Sequence, residues 1–100
     1  ILVDCLTLWL TNLIDAEADD ATIDQRIETL ENALSNARGP VLLVANEVGM
    51  GIVPDNAMSR RFRDWAGSLN QQMARCASEV ILTVAGIPVS IKSTMQKGEE

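Results

Sequence analysis

Polar residues that stop apolar runs are the first candidates for chemistry. Asp4 follows Ile1-Leu2-Val3, and the pair Asn46-Glu47 follows the unbroken run Val41-Leu42-Leu43-Val44-Ala45. A carboxylate closing an apolar strand is the shape of a Walker B element, whose Asp holds magnesium beside a nucleotide. A strand-end Asp also serves to cap the turn or helix that follows. Spacing alone leaves both readings open. After Glu47 come Gly49 and Gly51, then Pro54 and Asp55 at the start of a helical pattern. A buried strand, a polar pair, a glycine loop and a helix are how open α/β sheets place a site at the carboxyl ends of their strands. A third group, Arg60, Arg61 and Arg63, opens that helix with positive charge, where the helix dipole favours carboxylates. An anionic partner would account for it, and so would a salt bridge to Asp64 or to the nearby loop.

Other chemistry is excluded by what the sequence holds. It has no His, which removes the commonest general base and metal ligand. Cys5 and Cys76 lie far apart without the close Cys or His partners of a zinc site, so they read as small apolar packing groups in a reducing cytoplasm. Fourteen acidic residues against eight basic give a net charge of −6, the wrong sign for a general nucleic-acid surface. The acidic stretch Asp15-Ala16-Glu17-Ala18-Asp19-Asp20-Ala21 reads as a solvated loop, with cation binding by Asp19-Asp20 the alternative. With 47% hydrophobic residues the chain is not disordered. Its apolar runs, about five residues each, are too short to span a membrane.

The elements that must position these residues follow from periodicity. Ile1-Leu2-Val3 reads as a buried strand and 8–14 as a short helix. Thr22 and Gln25 form a capping box for a helix whose apolar stripe is Ile23, Ile27, Leu30, Leu34 and Ala37. Gly39-Pro40 is expected to end it, with Gly39 left-handed. A second long helix is expected over 56–77, with Met58, Phe62, Trp65, Leu69 and Met73 facing the core or a partner subunit. Gly67 inside that helix suggests a close crossing with another helix. A buried strand over 79–86 and an edge strand over 87–92 with Pro88 at its start complete the order. Strands alternating with helices predict a mainly parallel α/β sheet. Residues 1–92 make one unit, and the polar tail 93–100 frays.

Three blocks carry a family resemblance: LVDCLTLWLTNLI over 2–14, NEVGMGIVPDNAMSRRFRDWAGSLNQQMA over 46–74, and VILTVAGIPVSIK over 80–92. Together they resemble the bifunctional adenosylcobinamide kinase / adenosylcobinamide-phosphate guanylyltransferase family, in the family's order. The resemblance implies a P-loop, RecA-like α/β sheet flanked by helices, of which this chain corresponds to the C-terminal part. It also implies cobalamin biosynthesis in the cytoplasm: phosphorylation of the aminopropanol arm of adenosylcobinamide by ATP or GTP with Mg²⁺, then transfer of GMP from GTP. A homotrimer is the implied assembly. By the same resemblance Asp4 is the nucleotide or magnesium contact. Asn46 and Glu47 orient a nucleotide or the corrinoid alcohol, or else fasten the glycine loop. Arg60, Arg61 and Arg63 contact phosphate or a neighbouring subunit.

The family's GGxRSGKS-type P-loop and its guanylylated His have no counterpart in these residues. The expectation is that the 100 residues alone catalyse neither step. Two other classes remain: an assembly module that has lost the nucleotide half, and a different P-loop small-molecule kinase sharing only the generic sheet.

Overall fold

The computed structural model describes residues 1–47 and 56–93. The glycine loop with Gly49, Gly51, Pro54 and Asp55 lies outside the described residues, and of the tail expected to fray over 93–100 only Ser93 is described, as the last residue of a strand. Helical spacing builds the core. Leu6, Leu10 and Ile14 lie on one face of α1 (Leu6–Asp15), Ile23 and Ile27 on α2 (Asp20–Ser35), and Ala66, Leu69 and Met73 on α3 (Ala57–Cys76). All eight are buried and apolar, and Val3, Leu43, Phe62 and both tryptophans pack against them. No helix among the described residues is long and apolar enough to cross a membrane.

Each helix starts on a side-chain acceptor. Cys5 Sγ accepts from Leu8 N–H, Asp19 Oδ1 from Thr22 N–H at 2.8 Å, and Asn56 Oδ1 from Ser59 N–H at 2.7 Å. The capping box predicted at Thr22 is therefore displaced: Thr22 is the donor, and α2 starts three residues earlier, because Asp19 supplies a stronger acceptor. At its other end α2 stops at Ser35, not at Gly39-Pro40. Asn36 Nδ2 donates back to Asn32 O at 2.9 Å, satisfying a terminal carbonyl before the chain reaches the glycine, which keeps an ordinary φ. Ala37 falls beyond the helix and is exposed. Between α1 and α2, Glu17 takes a φ of 61°, while Glu17 N–H donates to Ile14 O and Ala18 N–H to Leu13 O. That pair of bonds is a Schellman ending, with Glu where Gly is the usual choice.

The strands depart further from expectation. β1 (Leu2–Asp4) pairs in parallel with β2 (Leu42–Val44), with Leu2 opposite Leu42 and Asp4 opposite Val44. β3 (Glu79–Val84) pairs antiparallel with β4 (Ile87–Ser93). Among the described residues these are two separate two-stranded sheets rather than one mainly parallel sheet. Nor are the strands buried on both faces. Val3 and Leu43 turn toward the helices, whereas Leu2 and Leu42 stay 64% and 66% exposed and Ile1 81%. The helices cover one face only, so an apolar run on both faces gains burial on one. Met58 also proves exposed, because it lies one turn before the packed part of α3 begins at Phe62. Neither cysteine packs as a core group: Cys5 is half-buried at its cap and Cys76 is exposed.

The β3–β4 hairpin turns through Ala85 and Gly86, both at positive φ (52° and 76°), the pattern of a two-residue I′ turn. Its ladder shifts between Val80 and Ile81: Ile81 pairs with Ser90, but Val80 pairs with Lys92, leaving Ile91 as the extra residue of a bulge. Lys92 is thereby turned inward, and its Nζ donates to Ala74 O at 2.9 Å and Arg75 O at 3.3 Å, the last carbonyls of α3.

Candidate functional site at the carboxyl edge of the parallel sheet

Parallel pairing brings the carboxyl ends of β1 and β2 side by side, so Asp4 and the residues just after Val44 share one edge. The sequence places Asn46 and Glu47 there, and the structure agrees: Asp4, Asn46 and Glu47 are all exposed at that end. Asp4 does not cap α1. Cys5 holds that position, through its sulfur and through its carbonyl, which accepts from Trp9 N–H. The capping alternative for Asp4 is thus set aside, and its carboxylate remains at the strand end.

Asn46 is held from two sides. Its N–H donates to Thr7 Oγ1 at 2.8 Å, and its carbonyl accepts from Asn70 Nδ2 at 3.3 Å. Thr7 sits in the first turn of α1, three residues after Asp4, and Asn70 is midway along α3. Neither was singled out from sequence. The available signal was their setting: each is a polar residue beside a core residue, Leu6 and Leu69 respectively, so its backbone is rigidly placed.

The arginines belong elsewhere. Arg61 Nη2 donates to Ala18 O and to Asp20 Oδ1, both at 2.9 Å, and Trp65 Nε1 donates to the same Asp20 oxygen at 3.2 Å. Arg61 therefore ties α3 to the acidic stretch at the start of α2, a partner other than Asp64. The hydrogen bond from Arg61, joined by that from Trp65, holds the Asp20 carboxyl below its usual range. The Thr22 hydrogen bond does the same for Asp19. These acidic residues cap and bridge. Arg60 and Arg61 line an open cleft of about 550 Å³ between α2 and α3, with Asp20, Asp64 and Trp65. Arg63 lines a smaller neighbouring one of about 380 Å³ beside Gln71. Among the described residues no three Cys, His, Asp or Glu gather as a metal cage.

Comparison with known proteins bears on the chain as a whole. A bifunctional adenosylcobalamin biosynthesis protein CobP of Pseudomonas aeruginosa is 46% identical over 92 residues, covering 92% of this chain and 53% of the relative. The CobU proteins of Salmonella typhimurium and Escherichia coli are 44% and 42% identical, with 92% of this chain and 58% of each relative covered. The chain spans somewhat more than half the length of these relatives. Residues 1–91 also match the family described as cobinamide kinase / cobinamide phosphate guanyltransferase. On that match, and on identities above 40%, the chain belongs to the cobinamide kinase / cobinamide phosphate guanyltransferase family.

Proposed function

We propose that this chain supplies the carboxyl-edge half of an enzyme that phosphorylates adenosylcobinamide and then transfers GMP from GTP to the phosphate. The observation that carries the reading is that Asp4 and Asn46 lie at the same end, the carboxyl end, of two paired parallel strands, in a chain of this family. In open α/β sheets that edge is where ligands bind. The completed fold is a P-loop, RecA-like sheet.

Asp4 is the nucleotide-side carboxylate and the holder of Mg²⁺. The donor set fits: Mg²⁺ takes one or two protein carboxylates and fills its remaining positions with water and phosphate oxygens, so no cage is needed. When bound, the ion neutralises phosphate charge as it develops. Asn46 and Glu47 orient the nucleotide or the corrinoid alcohol from the same edge. Arg61 is structural on this reading, since its bonds to Ala18 and Asp20 engage it within the chain. Arg60 and Arg63 meet phosphate or a neighbouring subunit, and the working assembly is a cytoplasmic homotrimer.

These 100 residues contain no P-loop motif and no His. On our reading both come from additional polypeptide, equivalent to the part of the relatives outside the match. The test is GTP turnover by the chain alone, and by the chain co-expressed with that part of the Pseudomonas aeruginosa relative. The expected result is none alone and Mg²⁺- and adenosylcobinamide-dependent turnover together. Asp4→Asn should lower the joint rate by about a hundredfold, the loss of about 2.7 kcal/mol of transition-state stabilisation. Turnover by the chain alone, or a joint rate indifferent to Asp4→Asn, refutes the proposal.

A further inference from the structure

We infer that Thr7 and Asn70 are positioning residues: a two-sided clamp on the Asn46 backbone that fixes the direction in which Glu47 leaves the sheet. The inference rests on the reading of this edge as the functional one, and adds to it two residues that touch no reacting group.

Three observations carry it. The clamp engages both polar groups of one peptide residue, N–H to Thr7 Oγ1 at 2.8 Å and carbonyl to Asn70 Nδ2 at 3.3 Å. The two clamping side chains come from different helices, 39 and 24 residues away in sequence, so the bonds are tertiary rather than local turn chemistry. Each is mounted beside a residue fixed in the core: Leu6 is 2% exposed and Leu69 1%. Asn46 itself is exposed. Water would satisfy its backbone there, so folding alone does not require these bonds. A chain leaving a strand without such ties samples many directions, and holding Ala45–Glu47 in one of them is a matter of preorganisation. Thr7 also lies three residues beyond Asp4, in the helix that directly follows β1.

The test uses the whole ¹⁵N-labelled chain and needs no nucleotide. Thr7→Val removes the acceptor at nearly constant volume, Thr7→Ser keeps it, and Asn70→Leu removes the second arm. Thr7→Val should speed exchange of the Asn46 amide about five- to tenfold, the loss of one ordinary hydrogen bond, and Thr7→Ser should restore it. The ¹H–¹⁵N NOE of Glu47 should fall in Thr7→Val and in Asn70→Leu, while those of Leu10 and Leu69 stay unchanged. A merely structural role would move the core amides as well. If Thr7→Val does not fold, Asn70→Leu reads the other arm independently. A Glu47 NOE unchanged in a folded variant overturns the inference, as does failure of Thr7→Ser to rescue. Absence of turnover in the co-expressed enzyme would refute the proposed function yet leave these readings valid. Joint turnover indifferent to Thr7→Val would overturn the positioning role alone.

Discussion

Leu10 and Leu8 lie two residues apart on α1, yet they should answer the same truncation very differently. Leu10 is 0% exposed and Leu8 is 58% exposed. Leu10→Ala deletes three carbons from the centre of the cluster, about 2.4 kcal/mol at about 0.8 per methylene. The void left within the cluster adds a cavity term, bringing the expected loss to about 3–4 kcal/mol. Leu8→Ala removes carbons already more than half in water and should cost less than about 1 kcal/mol. The assay is urea unfolding followed by far-ultraviolet circular dichroism and by tryptophan fluorescence, since Trp9 and Trp65 both pack on this cluster. Equal slopes against denaturant in both variants would show that only stability changed. Equal losses at the two positions, or a loss below about 1 kcal/mol at Leu10, would refute the assignment of α1's inner face.

Three further outcomes follow from the caps and bridges. Asn56→Ala removes the side-chain acceptor at the start of α3 and should cost about 1 kcal/mol in the same unfolding assay, most of it recovered in Asn56→Asp. Glu17→Gly should stabilise by roughly 1 kcal/mol, because φ of 61° penalises a side chain there and not glycine; a lower urea midpoint would contradict this. Asp20 is held below its ordinary value of 3.8 by Arg61 and Trp65, so its contribution is complete above that pH and is lost as pH falls through the lowered folded value. Thermal unfolding from pH 5 down to pH 2 should therefore steepen below about pH 4 in the parent and flatten in Asp20→Asn, with unchanged acid sensitivity in the variant counting against the bridge.

The helices were legible because their signals are local. Ile23 and Ile27, and Leu69 and Met73, repeat at 3.6-residue spacing and are buried where that spacing puts them. Cap identities were less legible, since Asp19 and Thr22 both satisfy the sequence rule and only competition between acceptors chooses Asp19. The strands misled for a different reason: Leu2, Leu42 and Ile81 have the composition of doubly covered strands, and composition does not reveal which face is covered. At the candidate site, Asp4, Asn46 and Glu47 could be marked as polar ends of apolar runs. Thr7 and Asn70 show only that they neighbour core residues, because their bonds to residue 46 exist only once α1 and α3 converge on it. Of the three arginines, Arg61 is committed to a carbonyl and a carboxylate that lie more than 40 residues away in sequence.

The one-residue bulge in the hairpin gives chain length a chemical meaning. With the ladder unbroken, Val80 would face Ile91, and the inner side of β4 would carry a hydrocarbon rather than an ammonium group. The extra residue exchanges them, sending Ile91 outward, 61% exposed, and Lys92 inward onto the end of α3. Losing a single codon here would not simply shorten a strand. A deletion of Ile91 would leave Lys92 in place with a regular ladder, whereas a deletion of Lys92 would turn Ser93 inward and leave the α3 carbonyls without their cation. Two adjacent deletions of equal size thus differ in kind.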